Sequence, residues 1–481
     1  MTYTVLKHLK LKTILLLGFL FRTCSAYFGY GWFAMDDYVY AIEPAWQWLA
    51  DPLYPYPSEL RLPILSSIIY LLFRTANMLG IHEPIAMLRL VYFIFGTWSL
   101  LGISGVYYLA KPLSEKTALF AAFLTACGFM MPHISTRALP ETLCLPFIVW
   151  GLVAVQKGLS LQNKKCFSFA VTAGLLLGTA VIIRFQTGLI TIGVITALAV
   201  MKEITWLQKY SILAGLIVGG GITAGVLGSI DLLLGRSYWA TPITYFRFNL
   251  GSSAQFGISP WYTYILQLLL FSVPPTTLLL LKPFIQALKQ VPMIFCTLVL
   301  FIGVHSMIGH KEDRFIFSIL PLYFMPLAYG LVQLHQGTRL QRLGFYFFLI
   351  ENTLLLLGSS FSNANQNLVQ PMLELANVRD PIHLATIGVQ HTPTFYSGKH
   401  FPVKETRSAT EFHEKLQDQN FKFNYLLARP IPDEKLLQQL QNSPYFCSEV
   451  NRFEPDFVDQ ILIFFNSHNK RRGTSVLLKC L

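Results

Sequence analysis

Residues 61–80, RLPILSSIIYLLFRTANMLG, decide how this chain is threaded. The stretch is apolar enough to be helical, yet Arg61 and Arg74 flank it, as they would flank a helix lying in a membrane surface. Lys and Arg in short loops mark the cytoplasmic side of a membrane protein. Here they cluster at Lys7, Lys10 and Lys12; Lys111 and Lys116; Lys157, Lys164 and Lys165; Lys202 and Lys209; Lys282 and Lys289; Arg339 and Arg342. Helices at about 13–33, 86–109, 117–134, 139–156, 167–183, 186–201, 210–234, 262–281, 292–309, 315–334 and 343–360 put every cluster inside, provided residues 62–80 do not cross. An extra crossing there would invert every later loop. The expectation is therefore a cytoplasmic N-terminus, about eleven crossings, a long external loop at 36–84, and further external loops near 135–141, 235–261 and 309–315.

Composition supports a membrane as solvent. The 481 residues are 53% hydrophobic and 13% charged, with mean hydropathy +0.48, against about 25% charged in soluble domains. Backbone in lipid must satisfy its own hydrogen bonds, so the spans are helices. The N-terminal apolar run is interrupted by Arg22 and resumes beyond Ala26, which reads as an uncleaved first helix rather than a leader. The net charge of +12 is dispersed over short loops with no recurring basic face, so nucleic acid is not an expected partner. Cys24, Cys127, Cys144, Cys166 and Cys296 lie in or beside apolar runs and only Cys447 and Cys480 in the polar tail, so no disulfide framework is expected.

From about Ser359 the composition turns polar. This divides the chain into a transmembrane domain, 1–360, and a soluble domain, 361–481, placed outside by parity. The runs IHLATIGV (382–389), FKFNYLLA (421–428) and ILIFFN (461–466) read as strands, and SATEFHEKLQDQ (408–419) and PDEKLLQQLQ (432–441) as helices. The fold class is mainly α, polytopic, with a small C-terminal α/β domain.

The charged residues left on the outer side have no orienting role, and ionisable groups at a membrane boundary pair with one another or work on a substrate. In AMDDYVYAIEPAW (34–46), Asp36 and Asp37 follow the first helix, and Glu43 stands seven residues on, near the same helical face. Either carboxylate suits a general base; either also suits a helix cap. In SMIGHKEDRFIFSILPL (306–322), His310, Lys311, Glu312, Asp313 and Arg314 sit between two apolar runs. Lys, Arg and His so placed suit a phosphate in a low-dielectric groove; the alternative is a self-neutralising rim. Arg137 and Arg184, at outer helix ends, are anchors singly and, with the cluster, anion-binding groups. The set describes a cavity with a base at one side and cations at another. Trp261 and Tyr262 suit either a sugar face or an interfacial belt.

These motifs resemble glycosyltransferase family 22. MDDYVYAIEPAW is similar to its Asp-Glu and later Glu-x-Ala-His, HKEDRF to its His-Lys-Glu-x-Arg-Phe, and FNLGSSAQFGISPWYTY (248–264) to its Asn, Tyr-Gly and Pro-Trp-x-x-Tyr loop; QHTPTFYSGKH (390–400) resembles the Cys-His-Ser-Thr-Pro-x-x-Ser-x-x-His of its GPI mannosyltransferase 3 branch. Asp37 stands where the family has Glu, Trp46 where it has His, Phe256 where it has Tyr, and Gln390 where it has Cys. The resemblance implies a GT-C fold and an inverting, metal-independent transfer of a sugar, mannose, from a polyprenyl or dolichyl phosphate to a lipid-linked glycan. It makes Asp36 and Asp37 the catalytic carboxylates and His310, Lys311, Arg314, Arg137 and Arg184 the donor-phosphate groups. Glu43, Arg61, Glu312, Asn249, Trp261, Tyr262 and His391 become substrate-binding or structural. It expects no cofactor, and a site facing an ER lumen or bacterial periplasm. A polyprenyl-linked sugar flippase and an inactive glycan-binding membrane protein are the rival readings.

Overall fold

A computed structural model describes residues 10–161, 163–252, 255, 257–418, 420–431, 436, 438, 440, 446–465 and 473–480. Lys7, Phe256 and most of the helix expected at 432–441 lie outside the described residues. Among those described, seven helices are long and apolar enough to cross a membrane, within Leu11–Phe28, Pro84–Ala110, Pro140–Leu159, Lys164–Ile183, Trp206–Leu233, Asp313–Gln336 and Arg339–Ala376. Shorter apolar helices are Ile64–Met78, Phe185–Val200 and Pro292–Met307. The 15-residue Ile64–Met78 falls short of the about 20 residues a crossing takes.

Two expected spans are reshaped. The helix expected at 262–281 is a pair, Thr263–Phe271 and Thr276–Gln290, bent by 100°. Pro274 and Pro275 occupy the break, where they remove backbone donors that would continue the helix. The helix expected at 117–134 is Glu115–Cys127, followed after Gly128 by the short Met131–Thr136. Gly128 turns to extended backbone, and a Cβ there would lie 2.5 Å from the Leu124 carbonyl oxygen. Asn352 closes this break: its Oδ1 accepts from Phe129 N–H (3.0 Å) and its Nδ2 donates to Cys127 O (2.9 Å).

The described chain divides into two compact units. The first comprises Met1–Thr23, Ser58–Leu65 and Ile94–Ser360. In it Asn163–Ile183 and Trp206–Leu233 pack backbone to backbone, because Gly174 faces Leu216 O and Gly220 N, while Gly219 faces Val171 O and Leu175 N. Small residues allow such approach where lipid offers no hydrophobic drive. Arg22 is tolerated in its apolar helix because its guanidinium is internally satisfied. It donates to Ser99 Oγ (2.6 Å), Ala126 O (2.8 Å), Thr125 O (3.1 Å), Gly18 O (3.2 Å) and Ser135 Oγ (3.4 Å).

The second unit comprises Cys24–Pro57, Ser66–Phe93 and Phe361–Leu481. Its sheet, in the order β2-β1-β3-β5-β4, uses β1 (Leu384–Ile387), β2 (Val403–Thr406), β3 (Tyr425–Ala428), β4 (Ser448–Phe453) and β5 (Ser475–Lys479). β1 runs parallel to β2 and β3, and β5 antiparallel to β3 and β4. On one face Phe412 of helix Ala409–Leu416 packs with Phe421, Phe423, Leu426 and Val476. Helix Gln366–Ala376 is tied to the start of β5, where Ser475 Oγ donates to Asn367 O.

Two expectations for the tail are corrected. The described part of ILIFFN, residues 461–465, lies in a helix, Phe457–Phe465; an unbroken apolar run lacks the alternation that distinguishes strand from helix. Cys447 and Cys480 form a disulfide. They flank β4 and β5, whose register pairs Ser448 with Lys479, so sheet pairing brings together thiols 33 residues apart.

Candidate functional site

In the second unit, the segment after the first helix is built around two carboxylates with different surroundings. Asp37 is buried, and its Oδ2 accepts from the N–H groups of Ala34 (3.0 Å) and Phe33 (3.1 Å). This is the capping role, and it falls to Asp37. Asp36 is half-buried on the same turn.

The α-helical phase linking Asp36 to Glu43 does not hold. Residues Tyr38–Ile42 form a π-helical turn, closed by Glu43 N–H on Tyr38 O, and its wider i→i+5 winding rotates everything after it. Glu43 consequently meets neighbours of its own: Tyr38 Oη donates to its Oε2, and Gln47 Nε2 to its Oε1 at 2.6 Å. Burial raises the Glu43 pKa, and burial together with the adjacent Glu43 raises that of Tyr38 well above the usual phenol value.

The 390–400 motif packs onto this segment. Phe395 N–H donates to Tyr38 Oη (3.3 Å), Tyr396 Oη donates to Tyr30 O (2.7 Å), and Phe395 stacks on Phe73 with ring centres 5.4 Å apart. Trp46 stacks on His400, whose pKa burial lowers. His391 is exposed, in the left-handed region at φ 54°. It turns the chain into Thr392, whose N–H and Oγ1 both donate to Glu405 Oε1.

In the first unit the charged loop and Arg184 are joined through Phe315, and Arg137 stands with His133. Arg314, buried, donates from Nε to Glu312 Oε2 (2.7 Å), and His310 Nε2 lies 3.0 Å from Glu312 Oε1. Lys311 Nζ donates to Ile308 O (2.6 Å) and Ser259 O (3.1 Å), and burial lowers its pKa. Gln267 Nε2 donates to Asp313 Oδ1. Arg184 and Glu141 make a buried ion pair at 2.8 Å. Phe315 gathers the cations: the Arg184 and Arg314 guanidiniums lie 5.2 and 5.4 Å from its ring centre. Arg137 is buried, with Nη2 3.2 Å from His133 Nδ1.

The other expected residues of this unit are placed separately. Asn249 Nδ2 donates to Tyr245 O (2.8 Å), and Trp261 and Tyr262 are exposed. The Arg61 carbonyl accepts from Arg236 Nη1 (3.5 Å), which also donates to Thr241 Oγ1 (2.8 Å), while Arg236 Nη2 donates to Ser58 O (2.9 Å).

A groove of about 650 Å³ runs beside this loop, lined by Trp261, Ile265, Leu269, Phe284, Met307 and Tyr323 among others. It is apolar by construction. The Ser272 and Thr277 hydroxyls donate to Leu269 O, and Tyr323 Oη donates to Leu268 O. Two of its lining residues, Trp261 and Met307, lie within two residues in sequence of Ser259 and Ile308, whose carbonyls hold Lys311.

Sequence reasoning found the charged residues and missed their organisers, Phe315, Tyr38, Gln47 and His400. An aromatic directly after HKEDR was the one available signal for Phe315.

The architecture is the GT-C membrane fold. The chain is similar over 97% of its length to ArnT from Cupriavidus metallidurans bound to undecaprenyl phosphate, with 97% of that chain covered, TM-score 0.64 and 11% identity. It is similar over 87% to the archaeal oligosaccharyltransferase AglB from Archaeoglobus fulgidus, with 69% of that chain covered, TM-score 0.53 and 11% identity. The chain belongs to the Alg9-like mannosyltransferase family, whose model matches residues 46–390. A probable Dol-P-Man:Man(7)GlcNAc(2)-PP-Dol alpha-1,6-mannosyltransferase of Schizosaccharomyces pombe is 30% identical over 219 residues, 44% of this chain and 37% of that relative. GPI mannosyltransferase 3 of Trypanosoma brucei brucei is 33% identical over 134 residues, 25% of this chain and 24% of that relative. The matches thus span less than two fifths of those relatives' lengths.

Proposed function

We propose that this chain moves mannose from a polyprenyl or dolichyl phosphate to a hydroxyl of a lipid-linked glycan at the non-cytosolic face of its membrane. The observation that carries the reading is a largely apolar groove whose lining residues Trp261 and Met307 neighbour the carbonyls that hold a cationic loop. An isoprenoid phosphate has that polarity: a long hydrocarbon ending in an anion. Lys311 and Arg314 neutralise the phosphate as the C1–O bond to it breaks, the kind of preorganised charge that lowers transfer barriers most. Asp36 takes the proton of the acceptor hydroxyl as its oxygen bonds to C1 from the face opposite the phosphate, inverting the anomeric centre. His310, Arg137 and Arg184 complete the set of donors around the phosphate, and the side-chain cations stand in for a metal. Mannose as the sugar is supported by the family match and by the curated relatives.

The test is mannosyl transfer from dolichyl phosphate mannose in membranes carrying Lys311→Ala or Arg314→Ala. Each is expected to lower transfer by about 10²-fold at unchanged protein level; wild-type rates in both variants would remove the loop from the donor site.

A further inference from the structure

Helix Phe457–Phe465 turns an apolar edge outward. Phe457 is 67% exposed and Phe464 84%, with Ile461 and Leu462 also exposed. Phe457, Ile461 and Phe464 recur at i, i+4 and i+7, one stripe of a helix, while Asp459, on the other side, is buried.

The acidic side fixes where this stripe lies. Ser362 Oγ donates to Asp456 Oδ2 (2.8 Å), and Asn365 N–H donates to Asp459 Oδ2 (3.1 Å). Ser362 directly follows Phe361, the last residue of the apolar helix Arg339–Phe361. The helix therefore begins one hydrogen bond from the end of a membrane span. That end carries the marks of a headgroup layer: Phe361 and Phe28, which ends Leu11–Phe28, are exposed with ring centres 5.0 Å apart. The Arg89 guanidinium lies 4.5 Å from the exposed Tyr27 ring and its Nε donates to Tyr27 O. Aromatic rings with an arginine beside them are the usual furniture of the membrane–water interface.

We propose that Phe457–Phe465 is an interfacial helix whose Phe457, Ile461 and Phe464 edge inserts among the lipids at that interface, anchoring the C-terminal sheet to the membrane surface. The occupant is the lipid leaflet, because the helix is tied to Ser362 and Asn365, just after the apolar helix Arg339–Phe361, and apolar side chains gain from burial. The anchor is independent of the transfer chemistry proposed above.

The experiment uses the full chain in phosphatidylcholine vesicles containing a photoactivatable phosphatidylcholine with its diazirine near the headgroup, with adducts mapped by mass spectrometry. Lipid adducts are expected on the peptide carrying 457–465 and none above background on Ala409–Leu416, which packs on the sheet face formed with Phe412. The variant Phe457→Ser/Ile461→Ser should lose most of the adducts at 457–465 while keeping those on the spans; both side chains are exposed, and an unchanged thermal midpoint confirms the fold. Absence of adducts at 457–465 while the spans are labelled would overturn the proposal.

Discussion

The indole of Trp46 lies parallel to the imidazole of His400, ring centres 5.0 Å apart and planes inclined by 11°. Phe395 meets the same indole edge-on, its ring centre at 5.5 Å, so two residues of the 390–400 motif rest on one side chain. Trp46 stands where family 22 has a histidine, and the wide apolar face it supplies is what the His400 ring stacks on. An aromatic pair of this kind contributes about 0.5–1.5 kcal/mol beyond its buried area. Trp46→Ala should therefore free the 394–400 segment, read as faster amide exchange at Phe395 and Tyr396 with exchange in β3 unchanged. Equal protection in variant and wild type would mean the stack holds nothing in place.

Burial holds the His400 ring toward its neutral form. A depressed histidine pKa means that the unfolded chain binds the proton more readily, so stability rises with pH through the range just below the ordinary value of 6.5. His400→Gln should flatten that part of the curve of thermal midpoint against pH; a slope identical to wild type would place the titration elsewhere.

The two neighbouring carboxylates should separate by readout. Asp37 accepts two backbone N–H bonds in a buried turn, so Asp37→Ala should cost about 1–2 kcal/mol of stability. Asp36→Asn keeps the volume and loses the basicity, and should leave the thermal midpoint in place while lowering transfer by about 10²- to 10⁴-fold. Appreciable turnover by the Asp36 variant would move the base to another residue.

Arg184 and Glu141 are both buried and paired at 2.8 Å. Removing one partner strands a charge, so Glu141→Ala should cost about 3–5 kcal/mol, whereas Glu141→Leu with Arg184→Met should recover most of that loss. A double variant no more stable than Glu141→Ala would show that the pair is not the stabilising unit.

The membrane helices were legible because a run of some twenty apolar residues is long enough to cross a bilayer and too apolar to sit in water. The charged loop was legible because ionisable residues are conspicuous between such runs. Other features depended on packing partners remote in sequence. The π turn at Tyr38–Ile42 has no periodic signature, and it redirected Glu43. Phe395 reaches Tyr38 across 357 residues, a contact that neither motif announces by itself. Pro274 and Pro275 signal a break, but not its 100° angle, and the Cys447–Cys480 bond follows from strand register.

The proposed mechanism places side-chain cations, not a divalent metal, against the departing phosphate. Chelation by EDTA in excess should leave the initial rate of mannosyl transfer unchanged. A loss restored by adding back a divalent ion would require a metal that the Lys311 and Arg314 assignment does not include.

Glu43 gives the acid–base test of the second unit. Its carboxyl is half-buried, receives donors from Tyr38 Oη and Gln47 Nε2, and is held above its ordinary value of 4.5 chiefly by burial. The fold therefore binds the Glu43 proton more tightly than the unfolded chain does. By linkage, raising the pH from 4.5 through the elevated value costs stability, since ionising the buried group is harder in the fold than out of it. Glu43→Gln keeps an acceptor for Tyr38 and has no charge to form. Its thermal midpoint relative to wild type should thus climb as pH rises from 4.5 through the elevated value and then level off. A difference constant across that range would mean that Glu43 titrates alike in both states, and that the Tyr38–Glu43 contact is a neutral prop rather than a strained carboxylate.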